Sequence, residues 1–394
     1  MKFKILEEAK VVMSNYGSIH DYFAWPTVKR LKNGRLAMGS SGYRMERICP
    51  FGKAVLAFSE NEGQSWSVPA PIIDTVLDDR DTGLCPFGQS GLIITSFNNT
   101  RAMQRGYLEG HINRRTEEEK AYVSGYLSLV SDEQESAALG STYKVSYDNG
   151  VTFGPLHISP VTSPHGPIEL KDGRILWVGT QFQSQDGRGH VDAYEMDLNG
   201  GMVKIGSIEN VTENGTEYGF CEPYTIELSD GTLICHMRTD RTFSTFQSIS
   251  RDGGRTWSTP TRMWADWLGA PVHLLELANG NILGTYGFRN EPYGICAMLS
   301  KDKGQTWDIQ NHIYINPFSA DLGYPCTVEL KDGSLLTVFY AIEKEGGPCV
   351  IMQTRWALEE YPVTKFNLRK IVSVATLISS IGVIVLAMLY LLNI

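Results

Sequence analysis

The sequence predicts an all-β protein, a propeller of six four-stranded blades, followed by a C-terminal transmembrane helix. Three observations predict it. A short hairpin pattern recurs six times, a Ser-x-Asp-x-Gly-x-Thr-Trp motif lies between most of the hairpins, and an uncharged apolar run occupies 371–394. Self-similarity at a step of roughly 50 residues is the signature of a repeat architecture in which each repeat is one supersecondary unit.

The hairpin reads Glu-Leu-x-Asp/Asn-Gly followed by an apolar run. It occurs at 169–173, 227–231, 276–280 and 329–333, with a variant at 30–34 and a degenerate sixth copy over 86–97. Asp-Gly or Asn-Gly between two apolar runs marks a tight β-turn, because these residues accept the backbone conformation that the turn needs.

The second repeat contains Ser250, Asp252, Gly254, Thr256 and Trp257, and again Ser300, Asp302, Gly304, Thr306 and Trp307; 146–153 and 59–66 are close variants. This is the Asp-box. Its Asp and hydroxyl residues are suited to bonding turn backbone, and its Trp to packing between blades. A metal loop would need further converging acids, and the copies lack them.

One step between hairpins is longer. Residues 101–140 read as an insertion with helical character, opened by the capping-box pattern Thr116-Glu117-Glu118-Glu119. Whether it rims a pocket or meets a partner is open at this level. The propeller is expected over 1–360, a basic linker over 361–370 and the membrane helix over 371–394. That last run has the length and apolarity of a bilayer-spanning helix. Lys365, Arg369 and Lys370 precede it, which by the positive-inside rule places the propeller in the cytoplasm as a tail-anchored protein.

A net charge of −9 argues against a nucleic-acid partner, whose phosphates need a basic surface. The seven cysteines are scattered and never spaced as CxxC, so neither a zinc site nor a disulfide framework is indicated. No metal and no organic cofactor is expected.

A propeller brings the starting ends of its innermost strands together on one face. Counting back about eight residues from each hairpin turn gives Trp25-Pro26, Arg80-Asp81-Thr82, Pro164-His165-Gly166, Glu222-Pro223, Pro271-Val272-His273 and Tyr324-Pro325. Such a polar ring suits a wet pocket, since unpaired buried charge costs several kcal/mol. Counting forward from Asp230 puts Arg238 opposite Glu222, and the second strands of blades 5 and 1 end at Arg289 and near Arg44. Several arginines at one mouth match a carboxylate ligand through their planar forks.

These residues resemble the sialidase (neuraminidase) superfamily, over about residues 20 to 358. The stretch 221–238 is similar to the family's Glu-Pro strand with a triad Arg sixteen residues on, and 323–340 to its nucleophile strand. The resemblance implies that Tyr324 is the nucleophile, Glu222 its partner, and Arg238 and Arg289 two arms of a carboxylate clamp. It departs in two places. Ala24 stands where the first triad Arg is expected, and the loop 41–53 holds Glu46 but no Asp where the general acid is expected. Arg44 or Arg80 is then expected to supply the missing cation. Asp81, preferred over Glu46, is expected to supply the acid. His165 or His273 would contact the substrate's glycerol or acyl groups, or replace the acid.

By this resemblance the chain is an exo-glycoside hydrolase that releases sialic acid or a related acidic sugar from a small glycoside or glycan. A neutral phenol suits a substrate that carries a carboxylate on its anomeric carbon, because a carboxylate nucleophile would be repelled. Two other readings stay open: an exo-glycosidase for a different sugar, and a non-catalytic glycan-binding propeller.

Overall fold

The computed structural model describes residues 1–359 apart from 112–114, 184–187, 240, 241, 243, 264–268 and 270. The repeated hairpins are its local units. In the turns at 33–34, 172–173, 230–231, 279–280 and 332–333 the glycine has a φ between +82° and +91°. Open space surrounds Gly173, Gly231 and Gly280, so backbone conformation rather than crowding selects glycine there.

The glutamate of the repeat has a role that its sequence position alone does not reveal. Its carboxylate accepts a backbone N–H from the turn of the preceding blade: Glu169 from Gly88 (2.7 Å), Glu227 from Lys171 (2.7 Å), Glu276 from Ser229 (3.0 Å) and Glu329 from Ala278 (3.0 Å). Blade 1 has Arg30 at this position. Arg30 pairs with Glu62 in a two-pronged contact (2.7 Å each), and Glu62 accepts the Lys331 N–H at 3.1 Å. The staples therefore run from blade to blade around the turn face.

The Asp-boxes are likewise structural. In the two full copies and the variant at 146–153, Asp252, Asp302 and Asp148 each accept from two backbone N–H groups and from two hydroxyls, with Thr Oγ1 at 2.5–2.6 Å. These bonds hold all three carboxyls down at about 2. The tryptophans reach the neighbouring blade: Trp66 Nε1 donates to Gln353 at 2.8 Å, and Trp307 packs edge-on against His236.

The described residues form six antiparallel blade sheets and a separate two-stranded hairpin, Val211–Glu213 with Thr216–Tyr218. The innermost strands are Tyr22–Arg30 in blade 1, Arg80–Phe87 in blade 2, the split pair Val161–Thr162 and Ile168–Glu169 in blade 3, Phe220–Glu227 in blade 4, Val272–Glu276 in blade 5 and Gly323–Glu329 in blade 6. Innermost strands touch from blade to blade, except that blade 3 meets Phe220–Glu227 of blade 4 through its second strand, Ile175–Gln181, and blade 6 touches blade 1, so the ring closes. Closure in blade 6 is shared by the two ends of the fold: Phe3–Met13 forms its outermost strand, paired with Cys349–Leu358. Apolar side chains between adjacent blades form the core, as with Trp25, Val28, Cys326 and Val338 between blades 1 and 6.

Three helices lie between the second and third strands of blade 2: α1 (Arg101–His111), α2 (Glu117–Leu129) and α3 (Asp132–Ala138). Thr116 and Glu119 form a reciprocal capping box at α2, and Ser131 with Gln134 does the same at α3. The helices pack onto the loop after the second strand of blade 1, through Met45, Cys49, Leu108, Val123 and Leu127. Phe51 stacks on Tyr122. All seven cysteines are free thiols. The segment 371–394, expected to cross a membrane, lies outside the described residues. Among the described residues no helix is long and apolar enough to cross one.

Candidate active site

Four of the innermost strands carry the same irregularity at the same place. Trp25, Asp81, Glu222 and Tyr324 each lie eight residues before their turn position (33, 89, 230 and 332). All four are non-glycine residues at positive φ, +55°, +46°, +51° and +48°. Each sits in a register shift of its hairpin. A β-bulge bends a strand and re-aims a side chain, and left-handed non-glycine residues persist only where surrounding structure holds them. Here the bulge falls at the same position of four innermost strands.

Two of these groups, Glu222 and Tyr324, meet chemically, and Arg238 joins them. Tyr324 Oη donates to Glu222 Oε1 at 2.5 Å, and Arg238 Nη1 donates to Glu222 Oε2 at 2.9 Å. The bulge offsets the ladder so that Cys221, not Glu222, pairs with Arg238, yet the side chains still meet. Burial, with Glu222 and Asp81 adding to it, pushes the Tyr324 phenol well above its ordinary range, against the pull of Arg238 and Arg289. The phenol is therefore protonated at rest, and its proton already points at a carboxylate. Partial burial works against the charge of Arg238, but Glu222, Cys221 and Tyr324 outweigh it and hold the guanidinium above the ordinary arginine range.

Asp81 stands in the same ring, 6% exposed. Burial lifts its carboxyl from 3.8 to about 7; Glu222 adds to the rise, while Arg80 and Arg44 oppose it. Its Oδ1 is buried without a hydrogen-bond partner. A carboxyl that is half protonated near neutrality has the property a general acid needs. Arg289 lies across the mouth, donating through Nε to the Leu322 carbonyl and through Nη2 to Tyr340 Oη, both at 3.1 Å.

The two other arginines expected to hold substrate are placed differently. Arg44 is 0% exposed and all five of its N–H groups are taken. Nε donates to the Glu46 carbonyl, Nη1 to Ser41 and the Asp79 carbonyl, and Nη2 to Asp78 and the Arg47 carbonyl. It has no donor left for a ligand, so the expectation for Arg44 is corrected. Arg80 lies over the Trp25 ring at 4.2 Å and donates to the Arg47 carbonyl at 2.8 Å and to Asp78 at 3.4 Å. Glu46 is buried and lies 3.6 Å from Arg115.

Both buried arginines thus hold one carbonyl, that of Arg47, and Arg47 is the residue that counting along the strands missed. Its side chain is exposed at the mouth. Partial desolvation there works against its charge, but Tyr340, Tyr22, Asp321 and Tyr324 outweigh it and hold the guanidinium above its ordinary range. Tyr107 of α1 senses Glu46, Arg47, Asp321 and Arg80, so the insertion contributes to the rim. Arg47 lies in a loop, where distance from a turn carries no register. The signal that was available is its membership of the loop 41–53, in which Arg44 and Glu46 drew the attention.

His165 and His273 are also corrected. They lie seven and six residues before their turn positions (172 and 279), not eight, and so fall short of the bulge position. Both are buried. His165 Nδ1 is 2.9 Å from Thr27 Oγ1, and His273 lies beside Lys29 and Tyr224.

Residues 122–337, more than half of the chain, match the BNR repeat-like domain. No curated protein sequence matches the chain. Among solved structures, a Dyadobacter fermentans protein of unknown function is 21% identical, with 91% of this chain and 99% of that one covered, at a TM-score of 0.69. The Streptococcus pneumoniae sialidase NanB is 13% identical over 89% of this chain and 71% of its own, at 0.64. A Penicillium chrysogenum alpha-L-arabinanase is 13% identical over 90% and 99%, at 0.58. What these share with the present chain is the fold, one that houses glycoside hydrolases.

Proposed function

The chain belongs to the BNR repeat-like family as a sialidase-like propeller, and from that premise we propose that it is an exo-glycoside hydrolase. Its substrate is a glycan ending in sialic acid or a related sugar with a carboxylate on the anomeric carbon. The observation that carries this reading is the 2.5 Å bond from Tyr324 to Glu222, whose other oxygen is held by Arg238. A structural tyrosine needs no such base, and a scaffold needs no such ring.

In the proposed reaction Glu222 takes the phenolic proton as Tyr324 Oη attacks the anomeric carbon. The bond to the leaving oxygen breaks and Asp81 gives that oxygen its proton. Water then attacks the same carbon, Asp81 takes the water's proton, and the Tyr324 oxygen leaves and recovers its proton from Glu222. Arg238, Arg289 and Arg47 hold the substrate carboxylate, Arg47 standing in for the arginine that Ala24 replaces. Hydrolysis of a fluorogenic sialoside beside a panel of other exo-glycoside reporters tests the assignment. Cleavage of the sialoside supports it, and cleavage of another reporter alone moves the specificity. Ala24, fully buried where a clamp arginine is expected, is the observation that favours that second reading, a glycosidase for a different sugar.

We also propose that 371–394 anchors the protein in a membrane with the propeller on the cytoplasmic side, a reading supported by the uncharged apolar run after Lys365, Arg369 and Lys370. Retention of the chain in carbonate-washed membranes, with the propeller digested by protease added to the cytoplasmic face, is the expected result. Release by carbonate would overturn it.

A further inference from the structure

Beneath the catalytic ring the central channel holds a cluster that the proposed hydrolysis does not use: Lys29 of blade 1, His165 of blade 3, Tyr224 of blade 4 and His273 of blade 5. Lys29 Nζ lies 2.5 Å from Tyr224 Oη and 3.3 Å from His273 Nε2. The Tyr224 and His273 rings stack at 4.8 Å, and the two imidazoles meet edge to face at 5.1 Å. Lys29, Tyr224 and His273 also line a cavity of about 540 Å³ reaching toward the turn face. The glutamates of that face, Glu169, Glu227, Glu276 and Glu329, each accept a backbone N–H of the neighbouring turn. Among the described residues no carboxylate pairs with Lys29.

The hydrogen-bond inventory of this cluster is one-sided. The Thr327 N–H donates to His273 Nδ1 at 3.4 Å, which leaves the ring proton on Nε2, facing the Lys29 amine. A donor thus faces a donor. Tyr224 Oη accepts a hydrogen bond from Lys29 and has its own proton to place. His165, 0% exposed, has its Nε2 buried with no partner. Lys29 is half-buried and lines the channel, so its ammonium is not stranded, but the fully buried His165 Nε2 has no partner and the facing donors of Lys29 and His273 lack an acceptor between them. One acceptor carrying negative charge resolves both.

We propose that the channel binds a small monovalent inorganic anion, chloride in ordinary solution, between Lys29, His273 and His165. The anion accepts from Lys29 Nζ and His273 Nε2–H. It selects the His165 tautomer in which Thr27 Oγ1 donates to Nδ1 and Nε2 carries the proton. It ties together blades 1, 3 and 5 across the axis and acts as a structural ion rather than a reactant.

The test uses bromide and chloride with the full chain. Crystals grown in bromide should show an anomalous peak beside the Lys29 and His273 pair, within hydrogen-bond reach of both. In solution, exchanging gluconate for chloride or bromide at constant ionic strength should raise Tm by about 2–4 °C and saturate. Lys29→Met, which keeps the apolar stem, should abolish that rise while retaining the far-UV spectrum. No anomalous peak in the channel overturns the proposal, and so does an equal halide response in Lys29→Met. A peak in the crystal with no halide-specific rise in solution means an adventitious ion only, and overturns it equally. Where Lys29→Met does not fold, the wild-type pair of measurements decides.

Discussion

Asp81→Asn separates the two consequences of burying a carboxyl in the catalytic ring. In the folded chain Asp81 titrates at about 7 against 3.8 for the free side chain. The folded pKa is the higher one, so folding takes up a proton between these values. Stability is therefore greatest below the unfolded pKa and falls as pH rises, until the full penalty is reached above about 7. Roughly three pKa units correspond to about 4 kcal/mol, of which about 2–3 kcal/mol is lost between pH 5 and pH 8. Asparagine fills the same space and never ionises, so the variant escapes this loss. Urea melts of both proteins at pH 5 and pH 8 measure it. The stability of Asp81→Asn relative to wild type should rise by about 2–3 kcal/mol between the two pH values. Asp79, also lifted to about 7 by burial, is present in both proteins and cancels. Turnover should fall in the same variant by about 10²–10⁴ on a glycoside with a poor leaving group and much less on an aryl glycoside. Parallel stability curves, or an equal loss on both substrates, would refute the reasoning.

Three further outcomes follow from the same geometry. Arg47→Ala should raise KM for the acidic sugar by roughly tenfold or more with kcat less affected, as expected for a rim cation that grips the ground state and transition state alike; unchanged steady-state kinetics would remove Arg47 from the clamp. Arg44→Met should destabilise the fold by about 3 kcal/mol, because it leaves the buried Asp78 carboxylate with only its long contacts to Arg80 and Asn99; a denaturant melt close to wild type would contradict that account. Glu227→Gln should lose about 1 kcal/mol, since the amide oxygen keeps a weaker version of the bond to the Lys171 N–H, and a loss as large as that of a core truncation would show that the staple does more than cap a turn.

The blades were legible because their signals are local. Asp-Gly and Asn-Gly turns and Asp-boxes act within a few residues, and their spacing sets the blade count. Tyr324, Glu222, Arg238 and Arg289 were reachable because they lie at fixed distances from those turns. Three things were not legible. The bulge at Trp25, Asp81, Glu222 and Tyr324 is a backbone state held by long-range packing, and it leaves no mark on composition. His165 and His273 fall one and two residues short of the bulge position, and both are buried. Arg44 reads as a free cation, because nothing in the sequence shows that Ser41, Asp78 and the carbonyls of Glu46, Arg47 and Asp79 occupy its donors. The outer strand of blade 6 was hidden for a similar reason: Phe3–Met13 pairs with residues more than three hundred positions away.

The central claim is that Tyr324, with Glu222 as its base, attacks a sialoside. Release of fluorophore from a fluorogenic α-sialoside by the full chain, compared with its Tyr324→Phe variant of unchanged thermal stability, tests it most directly. The account predicts steady release by the wild type and its loss in the variant. Equal release by both proteins, or a silent wild type, would contradict it.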